Sequence, residues 1–239
     1  MINISVCMAT YNGELYIEEQ LTSILSQLRD EDEVIISDDH SIDLTLQKIK
    51  SFQDKRIKLF VNSGKKGPVG NFENALQQAS GHFIFLADQD DVWLPNKVKT
   101  SLVHLQKCDL LLSDAIVING SGDVVHNSFY KKNHSGKGFL FNWVNNSYLG
   151  CCMAFNKNVL NYVIPFPEKI AMHDIWIGLN ASFVGKCLHL KEPLIKYRQH
   201  GKNTVVAFKK THLPVSYQIS YRLYMMYHII KLRLSRTLE

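Results

Sequence analysis

The sequence predicts an α/β fold built on a mostly parallel sheet. Two observations carry that prediction. Over the first hundred residues short apolar runs alternate with helical periodicities, and each of the first four runs ends in small, polar or acidic residues. The length of 239 residues suits one domain, or one domain with a small appendage, around a sizeable core.

The elements follow in order. Residues 4–9 read as a first strand, and 14–28 as a helix with Leu15, Leu21, Ile24, Leu25 and Leu28 at helical spacing. Residues 33–37 form a second strand; Asp43 is placed to cap a helix carrying Leu44, Ile49 and Phe52. Residues 57–61 are a third strand, and 71–80 a short helix closed by Gly81. Residues 82–87 are a fourth strand, after which Pro95 opens a helix with Val98, Leu102 and Leu105. Strands alternating with helices at this spacing imply right-handed crossovers. Beyond Asp109 the alternation loosens. Strands are predicted over 109–118, 148–155 and 186–190, with 192–198 extended. A polar, lysine-containing stretch runs from 119 to 137, a helix covers 174–184, a linker 201–214, and an aromatic-aliphatic helix 215–236.

Composition excludes several classes. Hydrophobic residues at 46% and charged residues at 21% are ordinary for a globular chain. There is no uninterrupted apolar run of about 18 residues, which argues against a membrane-spanning helix. Met1–Val6 has no basic region and reads as a strand rather than a signal peptide. Five cysteines without a CxxC spacing argue against a disulfide framework or a zinc site and suit a reducing cytosol. Charge is uneven: residues 186–239 carry eleven Lys/Arg against Glu192 and Glu239, a net of +9, which leaves −4 on the first 185. The basic tail points to an anionic surface. An anionic cytoplasmic leaflet is one reading and packing on the domain or a partner chain is the other; nucleic acid is disfavoured because no recognisable binding module accompanies the charge.

The chemistry lies at the strand ends. The first gives Thr10-Tyr11-Asn12-Gly13, the second Asp38-Asp39-His40-Ser41, the third Asn62-Ser63-Gly64, the fourth Asp88-Gln89-Asp90-Asp91. In an open parallel sheet these ends share one edge, where ligands bind. Three carboxylates within four residues beside apolar core repel one another, and a hard divalent ion such as Mn²⁺ or Mg²⁺ resolves that repulsion while leaving positions for phosphate oxygens. Capping of the helix after Pro95 is the other reading of Asp91. Turn and cap chemistry likewise competes with nucleoside binding at Asp38-Asp39, Asn12 and Asn71.

Together these clusters resemble the inverting glycosyltransferases of the GT-A fold known as family 2. The resemblance runs in order over residues 3–205. It continues through Gly70-Asn71-Phe72-Glu73-Asn74, Met172-His173-Asp174-Ile175-Trp176 and Tyr197-Arg198-Gln199-His200-Gly201-Lys202-Asn203, and is similar to bacterial enzymes of O-antigen and capsule synthesis, many of them rhamnosyltransferases. It implies a GT-A domain over 1–205, with a Rossmann-like nucleotide-binding half (1–108) joined to an acceptor-binding half (109–205), and a basic amphipathic helix over 215–239.

The resemblance also implies roles. Thr10, Tyr11, Asn12, Asp38, Asp39 and Asn71 would hold the nucleoside, with Asp39 at the base, and Asp88 would face the ribose or sugar. Asp90 would ligate the metal, joined by His200, with Arg198 and Lys202 at the phosphates. Asp174 would be the general base. His173 stands where relatives have an acidic residue, and His40 where they have Gly or Asn. The implied partners are a UDP- or dTDP-sugar and a saccharide or lipid-linked saccharide acceptor, in the cytoplasm or at the inner face of the plasma membrane. A sugar-nucleotide pyrophosphorylase would need a glycine- and basic-rich loop after the first strand, and a dehydrogenase a G-x-G-x-x-G; neither is present. A catalytically inactive scaffold that binds nucleotide sugars or polysaccharide is the non-enzyme alternative.

Overall fold

Strand β1 (Ile4–Thr10) sends alternate side chains to opposite faces of a sheet: Val6 and Met8 into one apolar layer, Cys7 into the other. It is buried almost throughout, as a strand covered on both faces must be. The chain was described as a computed structural model over residues 3–201 and 214–237. Lys202, a predicted phosphate partner, and most of the predicted linker lie outside those residues.

After β1 come α1 (Ile17–Leu25), β2 (Glu33–Asp38), α2 (Thr45–Ser51), β3 (Ile57–Val61), α3 (Pro68–Gln77) and β4 (Phe83–Asp88). There follow β5 (Val92–Trp93), α4 (Lys97–Leu105), β6 (Leu110–Ile118), β7 (Val124–His126), α5 (Phe129–Lys132) and α6 (Phe139–Val144). The remainder is β8 (Met153–Asn156), α7 (Leu160–Val163), α8 (His173–Val184), β9 (Cys187–Arg198) and α9 (Val215–Thr237). The strands make one mixed sheet in the order β3-β2-β1-β4-β8-β6-β9-β5, with β7 paired to β6. Pairs β3/β2, β2/β1, β1/β4 and β6/β9 are parallel, whereas β8 runs antiparallel to both β4 and β6. The α/β fold with a mostly parallel nucleotide half is therefore as predicted.

Several boundaries differ for local reasons. Helix α1 starts at Ile17 because Gly13 O accepts from both Tyr16 N and Ile17 N at 3.1 Å, making a turn of residues 13–16. Helix α3 starts at Pro68, three residues before the predicted start, with Gly67 at φ 90° ahead of it; proline at the first helical position is favoured because its missing N–H is not needed there. Asn71 is thus inside a helix and is not its cap. The predicted strand 148–155 is a 3₁₀ turn at Gly150–Cys152 followed by β8, and the two segments over 186–198 fuse into β9. Helix α6, with Leu140 and Val144 exposed, has no apolar periodicity strong enough to announce it. One apolar layer holds Ile17, Leu21 and Ile24 of α1; the other holds Phe72, Leu76, Trp176, Met225 and Ile229. Among the described residues no helix is long and apolar enough to cross a membrane.

Candidate active site

At β1 the sheet order reverses: β2 lies on one side and β4 on the other, so the carboxyl ends of the three strands open a crevice. Thr10 is in register with Asp38, and Ala9 with Asp88. The crevice widens into a cleft of about 1620 Å³. Thr10, Tyr11, Asn12, Asp39, Asn71, Asp88, Asp90, Asp174 and His200 all line it; Asp38 and Arg198 do not.

Asp38 is a correction to the predicted binding set. It is fully buried, and its carboxylate is spent on the turn around it, accepting from Thr10 Oγ1 at 2.9 Å, Ser41 N at 2.7 Å and Ser41 Oγ at 2.6 Å. A buried carboxylate with these donors holds the loop, and Asp38 is not among the residues that line the cleft. Asp39 faces the cleft instead, steadied by Asn62 Nδ2 at 2.9 Å and Gly67 N at 2.7 Å. His40 adopts φ 64°, the left-handed region that favours Gly or Asn, and its Nε2 lies 3.0 Å from Asn62 O. Asn12, also left-handed at φ 47°, accepts from Ile42 N at 2.9 Å through Oδ1. Asn71 donates to Thr10 O at 3.0 Å, while its buried Oδ1 has no hydrogen-bond partner among the described residues.

The acidic turn after β4 is tied down from three directions. Gln20 donates to Asp88 O at 2.7 Å. Gln89 pairs with the backbone of Tyr11 in both senses, Tyr11 N to Oε1 and Nε2 to Tyr11 O, each at 2.9 Å. This joins the turn after β1 to the turn after β4. A Cβ on Gly13 would lie 2.2 Å from Gln89 Oε1, so a larger residue there would push the Gln89 amide off the Tyr11 backbone. Arg198 is the third tie and the second correction. At 3% exposure it donates through Nε to Asp90 O at 2.7 Å, through Nη1 to Gly120 O at 3.2 Å and through Nη2 to Glu19 at 2.6 Å, and it lies over the Tyr16 ring. Its own backbone N–H donates to Asp91 Oδ1 at 2.8 Å. The guanidinium is a clamp behind the acidic turn and is not among the residues that line the cleft.

Burial and the neighbouring Asp90 and Asp174 push the Asp88 carboxyl up to about 7, and burial drives Asp91 well above the usual range. The turn therefore carries more negative charge than its surroundings solvate, as the sequence implied. His200 Nε2 lies 2.7 Å from Asp90 Oδ2. That is hydrogen-bond distance, so the two side chains are held together at the mouth of the acidic turn. A second group, Asp88, Asp91 and Cys151, has ligand atoms within 4.8 Å of one another. Beside that group the buried Lys97 donates to Cys151 O at 3.1 Å, and burial lowers its pKa from the usual lysine range.

Asp174 occupies the first turn of α8, where the helix dipole favours an anion. Burial nevertheless pushes its carboxyl up to about 6, outweighing the backbone donors of Ile175 and Gly150. His173 before it is 4% exposed, stacked on Phe72 with ring centroids 3.9 Å apart, and burial lowers it to about 3. It is neutral at working pH and adds no charge beside Asp174.

The far wall of the cleft comes from residues that sequence reasoning did not single out: Phe129, His134, Phe141, Asn145, Tyr148 and, from α9, Tyr221. Gln20 and Gln89 were also missed. A glutamine inside the turn motif, flanked by carboxylates, was the available signal for Gln89.

The family described as Glycosyl transferase family 2 matches residues 5–163. The Escherichia coli UDP-Glc:alpha-D-GlcNAc-diphosphoundecaprenol beta-1,3-glucosyltransferase WfgD is 31% identical over 180 residues, covering 74% of this chain and 69% of that protein. Staphylococcus aureus TarS 1–349 in complex with UDP-GlcNAc superposes with a TM-score of 0.70 at 20% identity, covering 95% of this chain and 72% of that one. For TarS 1–349 without ligand the chain spans 60% of the solved length. The mannosyltransferase PcManGT of Pyrobaculum calidifontis, solved with GDP-Man and Mn²⁺, gives a TM-score of 0.61 at 16% identity, covering 99% and 75%.

Proposed function

This chain belongs to glycosyl transferase family 2, and from that premise we propose that it transfers a sugar from a nucleoside diphosphate to an acceptor hydroxyl. The transfer is a single displacement that inverts the anomeric configuration, in synthesis of a bacterial surface polysaccharide. The donor is a UDP- or dTDP-sugar. The acceptor is a saccharide, free or carried on a lipid, and the basic C-terminal helix meets an anionic membrane surface.

Asp39 and the turn of Thr10, Tyr11 and Asn12 receive the nucleoside, with the unpartnered Asn71 Oδ1 available to a donor hydroxyl or N–H. Asp88 faces the ribose or sugar. Asp90 and His200 hold a divalent ion, Mn²⁺ or Mg²⁺, which when bound neutralises charge gathering on the departing diphosphate. Asp174 takes the proton from the acceptor hydroxyl as that oxygen attacks the anomeric carbon from the face opposite the leaving group. No covalent nucleophile is required.

The observation that carries this reading is the placement of Asp174: a buried carboxyl raised to about 6, in the same cleft as the acidic turn and near enough to push Asp88 upward. A base poised near working pH across from a metal-compatible turn suits hydroxyl activation. The test is a thermal-shift screen of UDP-, dTDP- and GDP-sugars with and without Mn²⁺, since a bound donor stabilises by mass action. A metal-dependent rise in the unfolding midpoint with one nucleotide identifies the donor base. No shift with any of them would remove the donor site.

A further inference from the structure

Helix α9 has two apolar faces, and the fold accounts for one of them. Met225 and Ile229 are buried against the domain. Arg222 fastens the helix to α6, donating through Nε to Trp143 O at 2.8 Å and through Nη2 to Val144 O at 2.9 Å. On the opposite side Ile219 (52%), Leu223 (56%), Tyr227 (59%), Ile230 (44%) and Leu234 (63%) are exposed. At 3.6 residues per turn these five fall within an arc of about 80° and extend about 22 Å along the helix. Singly exposed apolar residues are ordinary; a continuous row of five is not.

The borders of the row say what covers it. Lys231 flanks it on one side and Arg222 and Arg233 on the other, and residues 215–237 contain no Asp or Glu. The neighbouring segment 124–167, which supplies α6 with its exposed Leu140 and Val144, likewise has no acidic residue but four lysines. A second copy of the helix packed along the row would set cation against cation at both borders. An anionic lipid surface accepts the apolar row and pairs with the exposed Lys231 beside it, while Arg222, bound to carbonyls, and Arg233, lying over Tyr162 and Phe183, add positive field behind the row.

We infer that α9 lies in the plane of an anionic leaflet with Ile219, Leu223, Tyr227, Ile230 and Leu234 embedded among the acyl chains. Gln218, Tyr221 and Arg222, on the other sides of the same helix, line the cleft. The cleft therefore opens about one helix diameter, roughly 10 Å, above the lipid. The use of this orientation, presenting a lipid-carried saccharide to the cleft, rests on the transferase reading; the lipid contact itself does not.

The test is flotation of the full chain with vesicles of phosphatidylglycerol and phosphatidylcholine (3:7), beside pure phosphatidylcholine, at low and high salt. The wild type is expected to float with the anionic vesicles, less so at high salt. Leu223→Glu with Ile230→Glu is expected to lower the bound fraction about tenfold or more, and Lys231→Glu to lower it partially. The unfolding midpoint and the response to Mn²⁺ and nucleotide should stay as in the wild type. Wild-type protein that stays unbound, or a double variant that floats equally well, overturns the inference. So does a wild-type dimer that the double variant converts to monomer, which would assign the row to a second copy. Vesicle binding without any nucleotide response would instead sink the transferase reading and leave the lipid contact standing.

Discussion

His200 Nε2 lies 2.7 Å from Asp90 Oδ2, a contact across 110 positions of sequence that joins the residues after β9 to the turn after β4. Everything proposed about the metal depends on that pair. Asp90→Ala is expected to abolish metal-stimulated turnover. His200→Ala is expected to weaken Mn²⁺ binding by about 10–100-fold, the usual scale for losing an inner or supporting ligand. Titration calorimetry with Mn²⁺ decides it, and unaltered affinity in His200→Ala would take the histidine out of the ligand set.

Asp174→Asn should lower kcat by about 10²–10⁴-fold while donor affinity stays as in the wild type. The pH dependence has a definite sign. Because burial raises the Asp174 carboxyl to about 6, the base is protonated and inactive below that pH and ionised above it. The kcat/KM for the acceptor should climb about tenfold per pH unit on the acid side and level off above about 6. A flat profile from pH 5 to 8 would exclude Asp174 as the base.

Arg198→Lys separates a clamp from a phosphate ligand. Lysine cannot reproduce the fork that serves Asp90 O and Gly120 O, and each buried carbonyl left unpaired costs about 1–3 kcal/mol. The ion pair to the exposed Glu19 adds little. The expected result is a lower unfolding midpoint together with weaker Mn²⁺ binding. A variant with wild-type stability and only a raised donor KM would restore arginine to the phosphates.

Gly70→Ala tests the loop that steadies Asp39. A Cβ at this position would lie 1.8 Å from Lys65 O, a backbone atom that cannot move without displacing the segment leading to Gly67. Gly67 N is one of the two donors to Asp39. Overpacking of this kind costs about 1–3 kcal/mol, and denaturant unfolding should record at least that, with weaker nucleotide binding beside it.

Much of this was legible before any coordinates. Alternating runs and polar strand ends announced the parallel half, and nine of the eleven predicted side chains among the described residues line one cleft, most of them from strand ends that share one edge. The misreadings at Asp38 and Arg198 have a common cause. Residue type told that each was polar and near the site, but a side chain's direction is set by partners distant in sequence: Thr10 for Asp38, and Gly120 and Glu19 for Arg198. The far wall was illegible for another reason. Phe129, Phe141 and Tyr148 sit in short helices and loops ordered by distant partners, α5 against β6, α6 against α8 and Tyr148 against Ser182, and such packing leaves no period in the local sequence.

The antiparallel strand β8 has a mechanical consequence. It is stitched to β4 on one edge and to β6 on the other, so the floor beneath the β1–β4 side of the cleft and the floor beneath the β6–β9 side are rows of a single weave. Two lobes sharing such a floor cannot swing about a hinge without tearing backbone bonds between rows. Any tightening of the cleft has to come from its rim, where Asp90 and Asp174 both sit outside the strands, by side chains turning and peripheral segments settling inward.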